Sequence, residues 1–340
     1  MTSPALFTAN NPSTSIVQAL EIYTKYFYKL KRATNKGLPK APHKPLLLLS
    51  IIQLIKAKKI TSSRIFISPE LVLVFKANWN LFVNSKHVPN FSLPFFHLRS
   101  EPFWNLTAKI ASRTNIHTIK SISSLKKLAD TVAFAEIDTA LFHLLNNDET
   151  NAMMENLLLS HYFDTNKLSN PTLKTNQLAL ELENEILNED GATYAKKITK
   201  LQETLNKDNF EEEIFVRGGI FKKTIPKIYK YRCCISGMAI TSTSNAQMVD
   251  ACHIKPFSLC QDDTIPNGIS LSPNLHRAFD RGLLTINKDY VVRISPTVTD
   301  NNSVYSISQF EGKQILLPEN YKHYPSTAAF LWHAKEVFKL

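Results

Sequence analysis

Apolar residues recur at helical spacing over 13–30, with Ser13 or Ser15 placed to cap the start. The following loop, KRATNKGLPKAP at 31–42, is basic and broken by Gly37 and two prolines. Residues 43–56 are apolar nearly all round, which predicts a central helix packed on every face. Beyond it, 64–68 reads as a strand, 71–75 as a short apolar element, and 105–163 as mostly helical. Two helices followed by short strands are compatible with a winged-helix-like domain. The stretch 174–213 is polar, acidic and helix-prone, and Leu178, Leu180, Leu182, Ile186 and Leu187 suffice to pack one helix. After Phe215 the pattern changes to short strands, turns and aromatic residues. The expectation is an α+β chain in three parts: a mostly helical winged-helix-like domain at 1–165, an acidic helical linker at 166–213, and a third domain at 214–340.

Composition leaves a soluble globular protein. With 340 residues, 44% of them apolar, the chain is long enough for two or three domains. Its longest mostly apolar run, 45–55, is too short to span a membrane. No charged segment leads into an apolar stretch at the start, and four cysteines make no disulfide framework, so a cytoplasmic protein is expected. Charge changes the picture once it is divided. Residues 1–100 hold 14 Lys and Arg against 2 acidic residues, net +12; 101–213 are net −7 and 214–340 net +6. A basic excess that large points to nucleic acid, and no single amphipathic helix gathers it as a membrane surface would require.

The chemistry is concentrated in the last third. Tyr231-Arg-Cys-Cys-Ile-Ser-Gly237, Val249-Asp-Ala-Cys-His-Ile254, Asn267-Gly-Ile-Ser-Leu271 and Leu275-His-Arg-Ala-Phe-Asp-Arg-Gly282 follow one another in order. His253 and Asn267 are 14 residues apart, Asn267 and His276 are 9. Singly each is more often a satisfied structural residue; the ordered set is what carries meaning. It resembles the HNH endonuclease family, whose hairpin and following helix hold one metal between them. The resemblance implies catalytic roles for His253, Asn267 and His276 in phosphodiester hydrolysis. His253 would be the general base, since imidazole can accept a proton near neutral pH. Asn267 would hold that ring through its side-chain amide or through the loop backbone. His276 would ligate the metal, with Asp280 one helical turn on as a further ligand or, alternatively, a cap or partner of Arg281. Arg277 and Arg281 are candidate phosphate clamps.

Two departures from the commonest pattern matter. Cys252 stands where many members have aspartate before the base histidine, so the ligand role moves to Asp250, two residues earlier on the same strand face. The CxxC pairs that fasten many members around zinc are replaced by Cys233-Cys-Ile-Ser236 and Ser272-Pro-Asn-Leu275, so no structural zinc is expected. An oxygen-rich site suits Mg²⁺, with Mn²⁺ as a substitute. The cysteines read as small buried hydrophobes. His333 is expected on a closing helix, outside the site.

At the other end, Ala41-Pro-His-Lys-Pro-Leu-Leu-Leu-Leu-Ser50, Leu93-Pro-Phe-Phe-His-Leu-Arg99 and Phe103-Trp104 are similar to the sulfur-binding domain of phosphorothioate-dependent type IV restriction endonucleases. That resemblance implies a reader of DNA in which sulfur replaces a non-bridging phosphate oxygen. Arg32, His43, Lys44 and Arg99 would satisfy the anion and base edges, and Pro94, Phe95 and the face of His97 would take the sulfur. The whole reads as a metal-dependent restriction endonuclease acting on double-stranded DNA, with a homodimer or two successive nicks for a double-strand cut. The alternatives are a type II enzyme reading an unmodified sequence and a non-catalytic DNA-binding protein with a decayed HNH fold.

Overall fold

The computed structural model describes residues 12–340 apart from 35, 111–114, 165–170, 241, 243–246 and 302, with the backbone alone for 12–15 and 171–177. The expected cap at Ser13 or Ser15, and the expected domain limit at 165, therefore lie outside the described residues. The chain packs as two compact units, 1–177 with 207–213 and 178–206 with 214–340. The acidic stretch expected as a linker is thus divided between them.

The first unit holds α1 (Pro12–Tyr28), α2 (His43–Lys56), β1 (Arg64–Ile65), α3 (Pro69–Phe82), α4 (Ser92–His97), β2 (Trp104–Ala108), α5 (Leu125–Thr131), β3 (Val132–Ile137), α6 (Thr139–Asn146) and α7 (Asp148–Tyr162). Helix α2 is central, packed against α3, α4, α6 and α7, as its all-round apolar surface requires. The apolar 71–75 is not a separate element but the inside of α3. The Ser68 hydroxyl accepts from the Leu71 amide at 3.2 Å and Pro69 fills the first turn, so the helix starts just before that run. The mostly helical reading of 105–163 needs the larger correction, since β2 and β3 lie in it. They form an antiparallel sheet in the order β1-β3-β2, with Leu106 opposite Ala135. Strands of five and six residues are too short to print a period of two against the helices around them.

Three helices follow: α8 (Pro171–Asn188), α9 (Gly191–Thr204) and α10 (Lys207–Ile228). The acidic start of α10 is bound into the first unit. Glu212 is buried and accepts from the Phe91 amide at 2.7 Å, Glu211 from Ser124 at 2.8 Å, and Asp208 from Asn90 at 3.3 Å, while Glu213 pairs with Lys76.

The second unit is built on β4 (Asp250–His253), α11 (Phe257–Cys260), β5 (Gly268–Leu271), α12 (Pro273–Asp280), β6 (Leu284–Ile286), β7 (Val292–Ile294) and α13 (Thr327–Glu336). Strands β4 and β5 are antiparallel, pairing Asp250 with Leu271 and His253 with Gly268. Gly268 is required by contact, not by dihedral angle: a Cβ there would lie 2.3 Å from Ile225 Cδ1 and 2.8 Å from Phe221 Cε2 of α10. His333 on α13 is a core residue. Thr285 is 2.8 Å from its Nδ1, the Phe279 carbonyl 3.0 Å from its Nε2, and burial pushes its pKa down to about 4. Cys233, Cys234 and Cys252 are buried free thiols and Cys260 is half-buried. The mixed helices and small sheets make an α+β chain, and no helix among the described residues is long and apolar enough to cross a membrane.

Candidate active site

Alternation along β4 sends successive side chains to opposite faces. Asp250 and Cys252 point toward α12, and His253, at the strand's end, points the other way. The His253 ring lies flat on Phe221, with centroids 4.0 Å apart and planes 7° from parallel, and its Nε2 is 2.8 Å from Asp263 Oδ1. Asp263 is 1% exposed, and the Tyr194 hydroxyl points to its second oxygen at 3.5 Å. Tyr194 is itself fully buried on α9, which holds its phenol well above the usual range. Over its ring sits the Arg217 guanidinium, 5.5 Å from the centroid and paired with Glu185 at 2.9 Å.

Asn267 is 4% exposed and works on the loop between the strands. Its Nδ2 donates to the carbonyls of Lys255 and Asp262, each at 2.9 Å, and its Oδ1 accepts from the Lys255 amide at 2.9 Å. Its own carbonyl accepts from the Ile254 amide at 2.8 Å. These bonds join Asn267 to the backbone of Ile254 and Lys255, which follow His253, and of Asp262, which precedes Asp263.

On the opposite face His276 stands between two carboxylates. Its Nδ1 is 3.3 Å from Asp250 Oδ2 and its Nε2 is 3.5 Å from Asp280 Oδ2. Asp280 therefore turns to His276, and also takes the Cys252 thiol at 3.9 Å. One ligand atom each from Cys252, His276 and Asp280 falls within a 4.8 Å cluster, a nitrogen, sulfur and oxygen set able to hold a divalent cation. Burial, with the Asp280 charge adding to it, pushes the Cys252 thiol well above its usual range. Arg277 and Arg281 are both exposed, on and just beyond α12.

The expected reader residues converge in part. A pocket of 430 Å³ in the first unit is lined by Arg32, His43, Lys44, Pro94 and His97, together with Lys31 and His87, which sequence reasoning did not single out. His43 gives its Nε2 proton to the Val88 carbonyl at 3.0 Å, and burial pushes its pKa down to about 4, so the ring is neutral. His97 bonds Ser121 at 2.9 Å and is also held low, by burial first and then by Arg99 and Lys44. Lys44 is buried and paired with Glu101 at 2.6 Å, so its charge is already offset. Phe95 and Arg99 do not line the pocket. Phe95 is fully buried against Phe91 and Trp104. Arg99 spends its guanidinium on the carbonyls of Ile116 and Ile119, at 2.8 and 2.6 Å, and on the face of Phe96.

The HNH endonuclease family matches residues 233–287. A solved structure, a modification dependent TagI restriction endonuclease, is similar with a TM-score of 0.27 and 21% identity, over 34% of this chain and 37% of that one. The chain thus spans little more than a third of that structure's length. No curated protein matches. The family match takes in β4, β5 and α12 and with them His253, Asn267 and His276. Residues 233–287 are thus similar to an HNH endonuclease domain.

Proposed function

We propose that this is a metal-dependent restriction endonuclease directed to phosphorothioate-modified DNA, with His253 as its general base. The observation that carries the nuclease mechanism is the hairpin geometry. One strand presents His253 to one side and Asp250 with Cys252 to the other, where His276 and Asp280 wait. In this reading a divalent cation, Mg²⁺ with Mn²⁺ as substitute, is held by His276 and Asp280 with Asp250 or Cys252 completing the set. When bound it offsets charge developing on the phosphate and leaving oxygen. His253 takes the proton of the attacking water. Asn267 keeps the loop that follows His253 in place, and Arg277 and Arg281, exposed beside α12, hold phosphate oxygens.

The phosphorothioate reading is supported by the pocket. Sulfur is larger and less strongly hydrated than oxygen and is suited to a partly apolar wall, here Pro94 and Leu93, set beside the cations Lys31 and Arg32. Residues 1–165 are the DNA-reading domain in this proposal, winged-helix-like in carrying helices with a small antiparallel sheet. Incubation of plain and phosphorothioated plasmid with Mg²⁺ or Mn²⁺ tests both halves. Cleavage of the modified plasmid alone is expected; equal cleavage would assign the type II alternative. His253→Ala should slow cutting by about 10²- to 10⁴-fold, the usual worth of a general base, with DNA affinity unchanged. A rate within a few-fold of the parent would remove His253 from the mechanism.

A further inference from the structure

We propose that Asp263, backed by Tyr194, is a positioning residue that fixes the tautomer and the aim of His253. The inference rests on the reading of His253 as the base. A carboxylate can only accept, so the 2.8 Å contact from Asp263 Oδ1 puts the imidazole proton on Nε2 and leaves the lone pair on Nδ1. Nδ1 is then the nitrogen free to take a proton from water. The Phe221 ring at 4.0 Å closes one face of the imidazole, so the ring is held by stacking across its plane and by Asp263 within it.

Asp263 is built for this and poorly explained otherwise. At 1% exposure a carboxylate is costly unless it is bonded. Its close partner is His253, and its second oxygen faces the Tyr194 hydroxyl at 3.5 Å. Tyr194 comes from α9, in the segment that the sequence pattern suggests is only a linker. It lies under Arg217, which Glu185 of α8 pairs at 2.9 Å. Helices α8 and α9 thus supply the outer support of the base, and the acidic stretch is part of the catalytic unit.

The test is a double-mutant cycle on the full chain, measured as cleavage rate at saturating DNA. Asp263→Ala should lower the rate about ten- to a hundred-fold, the range for removing a group that orients a functional imidazole, with DNA affinity and KM unchanged. In a His253→Ala background the same change should alter the remaining rate by less than about two-fold, because the two act as one unit. Equal losses in both backgrounds would make Asp263 merely structural and overturn the proposal, as would a parental rate for Asp263→Ala. If His253→Ala itself cuts at the parental rate, the base reading fails and Asp263 falls with it; an inactive His253→Ala beside a fully active Asp263→Ala defeats the positioning role alone. Should Asp263→Ala not fold, nitrogen-15 spectra of the parent and of the isosteric Asp263→Asn give the answer. With the His253 signal assigned by its loss in His253→Ala, the parent should show the Nε2–H tautomer and Asp263→Asn a mixture. An Nδ1–H tautomer in the parent would refute the arrangement.

Discussion

His276 has a carboxylate at each ring nitrogen, 3.3 Å from Nδ1 and 3.5 Å from Nε2, and the two cannot play the same part. An imidazole offers one lone pair to a cation and donates from its other nitrogen. If Cys252 rather than Asp250 completes the proposed ligand set with His276 and Asp280, Asp280 would share the ion and Asp250 would accept the Nδ1 proton and orient the ring. Asp280→Asn should then raise the Mn²⁺ concentration for half-maximal cleavage by more than about ten-fold, and Asp250→Asn, which keeps an acceptor oxygen, by less. Titration of cleavage against Mn²⁺ checks the order, and a reversed order exchanges the roles. The hairpin and helix that carry His253, Asn267 and His276 were legible in the sequence because their motifs follow one another closely along the chain. Asp263 and Tyr194 were not. Tyr194 lies 69 residues before Asp263, and only folding makes them meet. Phe95 and Arg99 stand outside the pocket for a related reason: LPFFHLR sets apolar beside basic groups, but α4 turns Phe95 inward and two loop carbonyls claim Arg99.

Among the elements, α10 carries a consequence for stability. Burial pushes the Glu212 carboxyl up to about 7, with the Phe91 amide and Lys76 pulling partway back, against an ordinary value of 4.5. The folded chain therefore holds a proton that the unfolded chain releases between those values. Glu212 contributes stability that is fully present below pH 4.5 and lost as pH rises through 7, on the order of 3 kcal/mol at most. Urea unfolding of the parent between about pH 5 and 8 should show the midpoint falling, while Glu212→Gln, which keeps the acceptor for Phe91, should lack that part of the slope. Periodicity found α2 and the helix-prone acidic segment but missed β2 and β3, whose strand identity comes from pairing across the sheet rather than from their own few residues. In the acidic helices polarity marks the outer faces, while Tyr194 and Ile198 are buried inside.

For the whole molecule, charge is the property that the sequence conveys most directly. In the proposed reading, net +12 in the first hundred residues would supply a sequence-independent attraction to DNA. Binding of the full chain to plain DNA should weaken steeply with salt, roughly as a power law whose exponent counts the phosphates neutralised. Exchanging oxygen for sulfur leaves the phosphate charge the same, so a preference for modified DNA should add a constant factor across salt concentrations. A preference that fades in parallel with the salt curve would place its source in charge rather than in the pocket at Pro94 and His97.

Asn267 is followed by Gly268, the pair whose peptide is most open to attack by the backbone nitrogen on the side-chain carbonyl. In the folded chain the Asn267 amide is held by Lys255 and Asp262 and cannot swing toward that nitrogen. The brace that keeps the loop in place is thus also a guard against chemical ageing. Chain held unfolded and then refolded should accumulate molecules one mass unit heavier at position 267, in proportion to the time spent unfolded. Those molecules, with aspartate or isoaspartate in place of the amide, should be permanently inactive although refolded. Peptide mass spectrometry alongside cleavage assays would follow both, and an enzyme kept folded for the same time should show neither.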